Sequence, residues 1–195
     1  QTAVISLSNV IVQAYINSFG QDAIAGSSSY MKIDGFIVLP IMSFGMAAMT
    51  FTGQNIGAGK LERVKQGAVR TLLVGCIYCS VMSIVLLVFG REAMKIFSRD
   101  TAVIEYGYLM CKILAPFYVG ITIAQVMGGV FRGAGKSLST MLIMVGSMVG
   151  IRILWIQVMT KIYPYFDFVL WVYPVSWFFA FLVMIIDAWK GKWLV

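Results

Sequence analysis

Six long apolar runs alternate with short polar stretches along the chain, and that alternation predicts six helices. Three runs carry no charge over a membrane-length stretch: Gln1 to Gln21, Thr71 to Gly90 and Phe168 to Ile186. Crossing a bilayer core takes about 20 apolar residues as a helix. Backbone amides in lipid need partners within their own segment, which rules out open strands. The predicted spans cover about residues 3–19, 29–52, 68–89, 106–130, 138–160 and 168–188, in one unit running from 1 to 195. Between them fall a short loop beginning at Gly20-Gln21-Asp22, a polar loop from Gly53 to Gln66, a tight turn from Phe131 to Ser137, and a turn at the aromatic belt, Tyr163 to Asp167. Arg91 to Glu105 sets Met94, Ile96 and Phe97 among charges, which predicts a segment lying along the interface. Pro116 falls inside the fourth span, and Pro174 is expected to kink the sixth. The expected fold class is an all-α membrane protein with six transmembrane helices.

Composition agrees with that pattern. The chain is 60% hydrophobic and 12% charged, with a mean hydropathy of +0.88, whereas an ordinary soluble domain is about 25% charged. The net charge of +7 raises the possibility of nucleic acid. The basic residues are scattered over short loops, however, and form no stripe that could track phosphates, so no nucleic-acid partner is expected. Basic loops on one side of a membrane explain them better. Lys60, Arg63, Lys65, Arg132, Lys136, Lys190 and Lys192 make seven on one side, against four, Arg91, Lys95, Arg99 and Lys161, on the other. The first side is expected to be cytoplasmic, with both termini on it, in the plasma membrane. Trp189 and Trp193 stand where an interfacial anchor belongs. Gln at position 1 predicts a processed chain or a fragment, and the first run is too long for a signal-peptide core and has no basic region before it.

Few residues offer reaction chemistry. There is no His, and no nucleophile–base or paired-carboxylate constellation, so no enzyme is expected. Cys76 and Cys79 form a C-x-x-C without the surrounding strand–helix–strand pattern of a redox site, and with Cys111 they are expected to be small buried hydrophobes. No cofactor or metal is implied. The tetrapeptide Gly57-Ala58-Gly59-Lys60 recurs 76 residues later as Gly133-Ala134-Gly135-Lys136. The second copy, followed by Ser137, ends like a phosphate-binding loop, but that motif needs Gly where Val130 stands and a strand before it. A glycine helix end followed by a sharp turn is the better reading, and it gives the second and fourth spans the same direction.

Charges inside the spans are sharper clues. Asp34, Lys112 and Arg152 all fall at a depth of about 10 Å below the outer interface, at roughly 1.5 Å per residue. A charge there costs about 2.5–3.5 kcal/mol on insertion scales, so such groups pair or face water. Equal depth predicts that the three meet, either as a static ion pair or as part of a substrate or ion path. Snorkelling to the headgroups is the remaining alternative. Lys32 is expected to snorkel, and Arg70 and Asp187 lie near the inner interface. Asn9, Gln13 and Asn17 recur every four residues and form one polar stripe, which either holds helices together or lines a cavity. Gly146 and Gly150 form G-x-x-x-G, which predicts close helix packing. Thirteen Met suit a pliable cavity, although most are expected in the core or facing lipid.

Three segments carry a family resemblance. Gly53-Gln54-Asn55-Ile56-Gly57-Ala58-Gly59-Lys60 resembles the cytoplasmic G-Q-x-x-G-A segment of MATE (multidrug and toxic compound extrusion) efflux transporters. Ile96-Phe97-Ser98-Arg99-Asp100, followed by Ala102-Val103-Ile104, resembles their outer loop before the tenth helix, and Arg132 to Lys136 the turn after it. The order and spacing match over nearly all 195 residues. The resemblance implies one lobe of a two-lobe transporter, the C-terminal six of twelve helices, with the N-terminal lobe absent. It also implies export of small amphiphilic or cationic compounds in exchange for Na⁺ or H⁺. Some members carry acids in helices seven and ten, but the matching spans here have none, and Lys112 stands in the second of them. On this reading Asp34 contacts the cation or proton beside Lys112 and Arg152, while Asn9, Gln13, Tyr30 and Gln125 offer hydrogen bonds to cargo. The expected partners are the cargo, the lipid bilayer, and the missing lobe or a second copy. The alternatives are a lipid-linked oligosaccharide or polysaccharide flippase lobe and an inactive truncated lobe.

Overall fold

A computed structural model of the chain describes residues 2–189, with nothing said of the side chains of residues 2, 3, 159 and 160. Lys190, Lys192 and Trp193, used above for orientation and anchoring, lie outside the described residues. The elements are α1 (Thr2–Asn17), α2 (Gln21–Gly57), α3 (Leu61–Lys95), α4 (Thr101–Leu114), a 3₁₀ turn (Ala115–Phe117), α5 (Tyr118–Gly133), α6 (Ser137–Val145), a π segment (Gly146–Gly150), α7 (Ile151–Ile162), α8 (Phe166–Leu170) and α9 (Val172–Trp189). They make six rods. Five are long and apolar enough to cross a membrane, and the sixth is the shorter apolar helix Val4–Asn17. The all-α six-helix architecture is as the apolar pattern predicts.

The rods are longer than the apolar runs. The 37 residues of α2 extend about 55 Å at 1.5 Å per residue, against a bilayer core of about 30 Å. Helices keep their internal hydrogen bonds after leaving lipid, so hydropathy marks the bilayer edges and not the helix ends. The expected loop from Gly53 to Gln66 is therefore helix except for a turn over residues 58–60, and the loop at Gly20 shrinks so that α2 starts at Gln21. The expected interfacial segment from Arg91 to Glu105 is absent as a unit. Its first part completes α3, residues 98–100 belong to no helix, and Thr101 starts α4. Asp100 accepts from the Ala102 N–H and caps that new helix, and Arg91 pairs with Glu105 across the junction.

The two repeated tetrapeptides end their helices in the same way. Gly59 and Gly135 have φ of 69° and 84°, and the next residue donates back to the helix: Lys60 N–H to the Asn55 carbonyl at 2.8 Å, Lys136 N–H to that of Phe131 at 2.9 Å. Only glycine takes this left-handed closing position without strain.

Between these turns and the opposite end, α2 and the α4–α5 rod run side by side. A Cβ on Gly26 would strike α4 at Val103 and Tyr106, one on Gly129 would strike the Gly45 backbone, and one on Gly133 would strike the Met49 carbonyl. Lipid offers no hydrophobic drive to press helices together, so close backbone approach at small residues supplies the packing. The lipid side reads the other way. On α3, Leu73, Ile77, Val81, Ile84 and Val88 are exposed, while Gly75, Cys79, Ser83 and Leu86 are buried.

Prolines break this regularity at two places and leave it intact at a third. Pro116 coincides with the 3₁₀ turn, where the Ser83 hydroxyl donates to the Ala115 carbonyl at 2.6 Å. Pro174 lies in the first turn of α9, just after the α8–α9 break at Trp171, and the kink expected there is that break. Pro40 sits inside an unbroken α2. Its missing N–H leaves the Phe36 carbonyl without its helical donor, and the Tyr78 hydroxyl of α3 supplies one at 3.0 Å. At Gly146 and Gly150, close packing does not occur. A Cβ on either would meet nothing within 4 Å; the two glycines instead bound a π segment, a wider turn often found at functional positions.

Candidate functional site

Asp34 faces inward because α2 turns it to the same side as Tyr30, one helical turn earlier. The Tyr30 hydroxyl donates to Asp34 Oδ1 at 3.3 Å, the Tyr118 hydroxyl donates to the same oxygen, and the two hydroxyls lie 2.6 Å apart. Both tyrosines are fully buried. Tyr118 opens α5 directly after the Pro116 turn, so the break in the fourth rod aims this phenol at the acid on α2.

The second cluster gathers around Arg152, which is 3% exposed and follows the π segment by one residue. Its Nε donates to Ser176 Oγ at 3.2 Å. Its Nη1 donates to Ser8 Oγ at 3.3 Å and to Asn9 Oδ1. Its Nη2 meets the Met148 sulfur at 3.7 Å, a weak acceptor. The guanidinium lies over the Tyr173 ring, 4.9 Å from its centroid. Three rods therefore hold this one side chain, and none of the described residues forms an ion pair with it.

Both clusters open into one cavity of about 710 Å³, within the usual range for small-molecule sites. Tyr118 stacks on Trp177 at 5.7 Å, and Trp177 leans on Tyr173 at 6.2 Å, so an aromatic row runs from the acid to the base. Six of the lining residues are methionines: Met31, Met42, Met46, Met49, Met110 and Met148. Arg132, read from the sequence as a loop charge, lines the cavity as well.

Of the residues singled out from the sequence, Asp34, Arg152, Asn9, Tyr30 and Gln125 line this cavity. Lys112 does not. Its side chain is exposed, and its Nζ sits 4.3 Å from the Tyr108 ring centroid. The depth argument counted residues along the membrane normal and ignored rotation about the helix. Met110 and Leu114 point into the cavity, and a residue two positions from each faces away. Gln13 also lies off the cavity. It donates to Asn17 at 2.9 Å and to Ser27 of α2 at 3.5 Å, so the stripe divides, with Asn9 serving the cavity and Gln13 tying α1 to α2. Lys32 reaches over Phe97, 5.4 Å from its centroid, at the connection between α3 and α4. Sequence reasoning missed Tyr118, Tyr173, Trp177, Ser8 and Ser176. Tyr118 and Tyr173 stand beside Pro116 and Pro174, and a phenol next to a proline inside an apolar run is the signal that could have found them.

A family model described as MatE matches residues 1–156. Among curated relatives, the chain is 30% identical over 143 residues to the "Probable multidrug resistance protein YpnP" of Bacillus subtilis (strain 168), covering 73% of this chain and 32% of that protein. It is 29% identical over 118 residues to the "Probable multidrug resistance protein NorM" of Pasteurella multocida (strain Pm70), covering 60% and 25%. A solved structure, described as the outward-facing conformation of a multidrug resistance MATE family transporter of the MOP superfamily, superposes with a TM-score of 0.91 at 19% identity. It covers 100% of this chain and 43% of that one. The chain thus spans about a third or less of the length of these curated relatives.

Proposed function

The chain belongs to the MatE family, and on that premise we propose that it is one six-helix lobe of a cation-coupled antiporter exporting small amphiphilic or cationic compounds across the plasma membrane. A second lobe, or a second copy of this chain, closes the cavity. Asp34 takes the coupling Na⁺ or H⁺, held in place by Tyr30 and Tyr118. The cargo rests on the methionines and on the aromatic row, with Asn9 and Gln125 offering hydrogen bonds. The observation that carries this reading is the single cavity combining a carboxylate inside a membrane-length helix with a lining of repackable methionines. Methionine surfaces accept varied apolar shapes, and an acid at that depth is a functional group by default. Alternating access arises when one bundle rocks against another, so a lone lobe has nothing to rock against.

The test is efflux of a fluorescent organic cation from vesicles holding the purified chain, alone and with a co-expressed six-helix N-terminal lobe. Efflux driven by a Na⁺ or H⁺ gradient only in the second preparation is expected. Gradient-driven efflux by a verified monomer would overturn the half-transporter reading. No efflux in either preparation would favour an inactive truncated lobe.

A further inference from the structure

Arg152 has no acid. Buried charges in a membrane protein ordinarily pair with an opposite charge, yet the partners of this guanidinium are neutral: two serine hydroxyls, an asparagine carbonyl and a thioether. Asp34, the one acid lining the cavity among the described residues, accepts its hydrogen bonds from Tyr30 and Tyr118 at the other end of the aromatic row. The Nη2 donors meet no oxygen among the described residues. The Tyr173 hydroxyl, beside the same guanidinium, makes no hydrogen bond with the described residues. Neutral hydrogen bonds fix the guanidinium's direction without cancelling its charge. Nη2 therefore remains to donate a charge-assisted hydrogen bond to one oxygen of a carboxylate or phosphate.

From this we propose that Arg152, with the Tyr173 hydroxyl, docks an anionic oxygen group, carboxylate or phosphate, of an amphiphile whose apolar body lies along Trp177 and the methionines. The proposal rests on the reading above that this cavity holds cargo, and it adds that the cargo end at Arg152 is negative. The opposite end stays available to the cation or proton at Asp34, because the aromatic row separates the two. Two sources can supply the anion: a free amphiphilic acid, or the headgroup of a membrane lipid.

The experiment uses the purified chain in phosphatidylcholine nanodiscs and two fluorescent probes of nearly equal apolar body, 11-(dansylamino)undecanoic acid and its methyl ester. The acid is expected to bind about tenfold tighter than the ester, the size of one charge-assisted hydrogen bond. Arg152→Gln should remove that preference and leave ester binding in place, which also shows that the cavity still forms. Tyr173→Phe, which deletes only the hydroxyl, should reduce the preference while keeping the ring under Arg152. Equal binding of acid and ester to the unaltered chain overturns the anion site but leaves the cargo cavity standing. A preference that survives Arg152→Gln overturns the assignment to this residue. Binding of neither probe overturns the cargo cavity itself, and this proposal with it. Repeating the titration in phosphatidylglycerol nanodiscs separates the sources. Loss of acid binding there supports the site with a lipid phosphate as its natural occupant, and retention supports it with a free acid.

Discussion

The Asp34 carboxylate is held by two tyrosines through one of its two oxygens, Oδ1. On the proposed reading its second oxygen meets the coupling ion. Asp34→Asn keeps an acceptor for Tyr30 and Tyr118 but removes the negative charge and the proton site. If the chain works with a second lobe as proposed, gradient-driven efflux is expected to fall toward the gradient-independent leak, a loss within the roughly 5–150-fold range of typical coupling between two ligands. Initial rates measured with and without the gradient test this, and an unchanged gradient response removes Asp34 from the pathway. Lys112 teaches the complementary lesson. A charge at the right depth is at the right site only when its helix face also agrees, and the face is fixed by what Met110 and Leu114 pack against.

Helix-level stability here depends on backbone approach and on backbone groups that find donors. At Pro40 the orphaned Phe36 carbonyl relies on Tyr78. Tyr78→Phe should lower stability by roughly 0.6–1.7 kcal/mol, the range of interhelical hydrogen bonds in membranes. Pro40→Ala restores the helical N–H to that carbonyl, so the double variant should lose less than the sum of the two single ones. SDS-induced unfolding of all three variants measures this, and strict additivity would break the link between Tyr78 and Pro40. At the α2–α5 crossing, Gly129→Ala drives a methyl into the Gly45 backbone, which cannot swing aside as a side chain can. A loss of about 1–3 kcal/mol is expected, as for overpacking in a tight core. Gly146→Ala, which meets nothing within 4 Å, should stay within about 0.5 kcal/mol. Equal effects in the same unfolding assay would refute the close crossing.

For the molecule as a whole, the question is which way it sits in the membrane. The two glycine turns share one end because α2 and the α4–α5 rod run parallel, and Lys60, Lys136 and Arg132 gather there. That end is expected to be cytoplasmic by the excess of Lys and Arg in short loops. A cysteine placed beside Lys60, in a background with the three native cysteines replaced, should resist an impermeant thiol reagent added outside. One beside Asp22 should react. The reverse labelling pattern would invert the topology and place Asp34 near the inner face.

The apolar pattern alone determined that the chain is six helices in a membrane, because continuous apolar runs of about 20 residues satisfy their backbone in lipid only as helices, whereas barrel strands are short and alternate. The tetrapeptide repeat fixed the shared direction of two rods, because glycine in the left-handed position is a local requirement of ending a helix. Asp34 stood out as a charge inside an apolar span, and Tyr30 was expected only to meet cargo; that it donates to Asp34 is shown by the structure. What lay across helices was not legible. Tyr118 reaches Asp34 from a residue 84 positions away, and Arg152 finds Ser8 and Asn9 at separations of 144 and 143. No periodicity within one helix encodes such a meeting. Rotation of each rod about its axis, set by close glycine contacts and by the breaks at Pro116, Trp171 and the π segment, decided which charges entered the cavity and left Lys112 outside it.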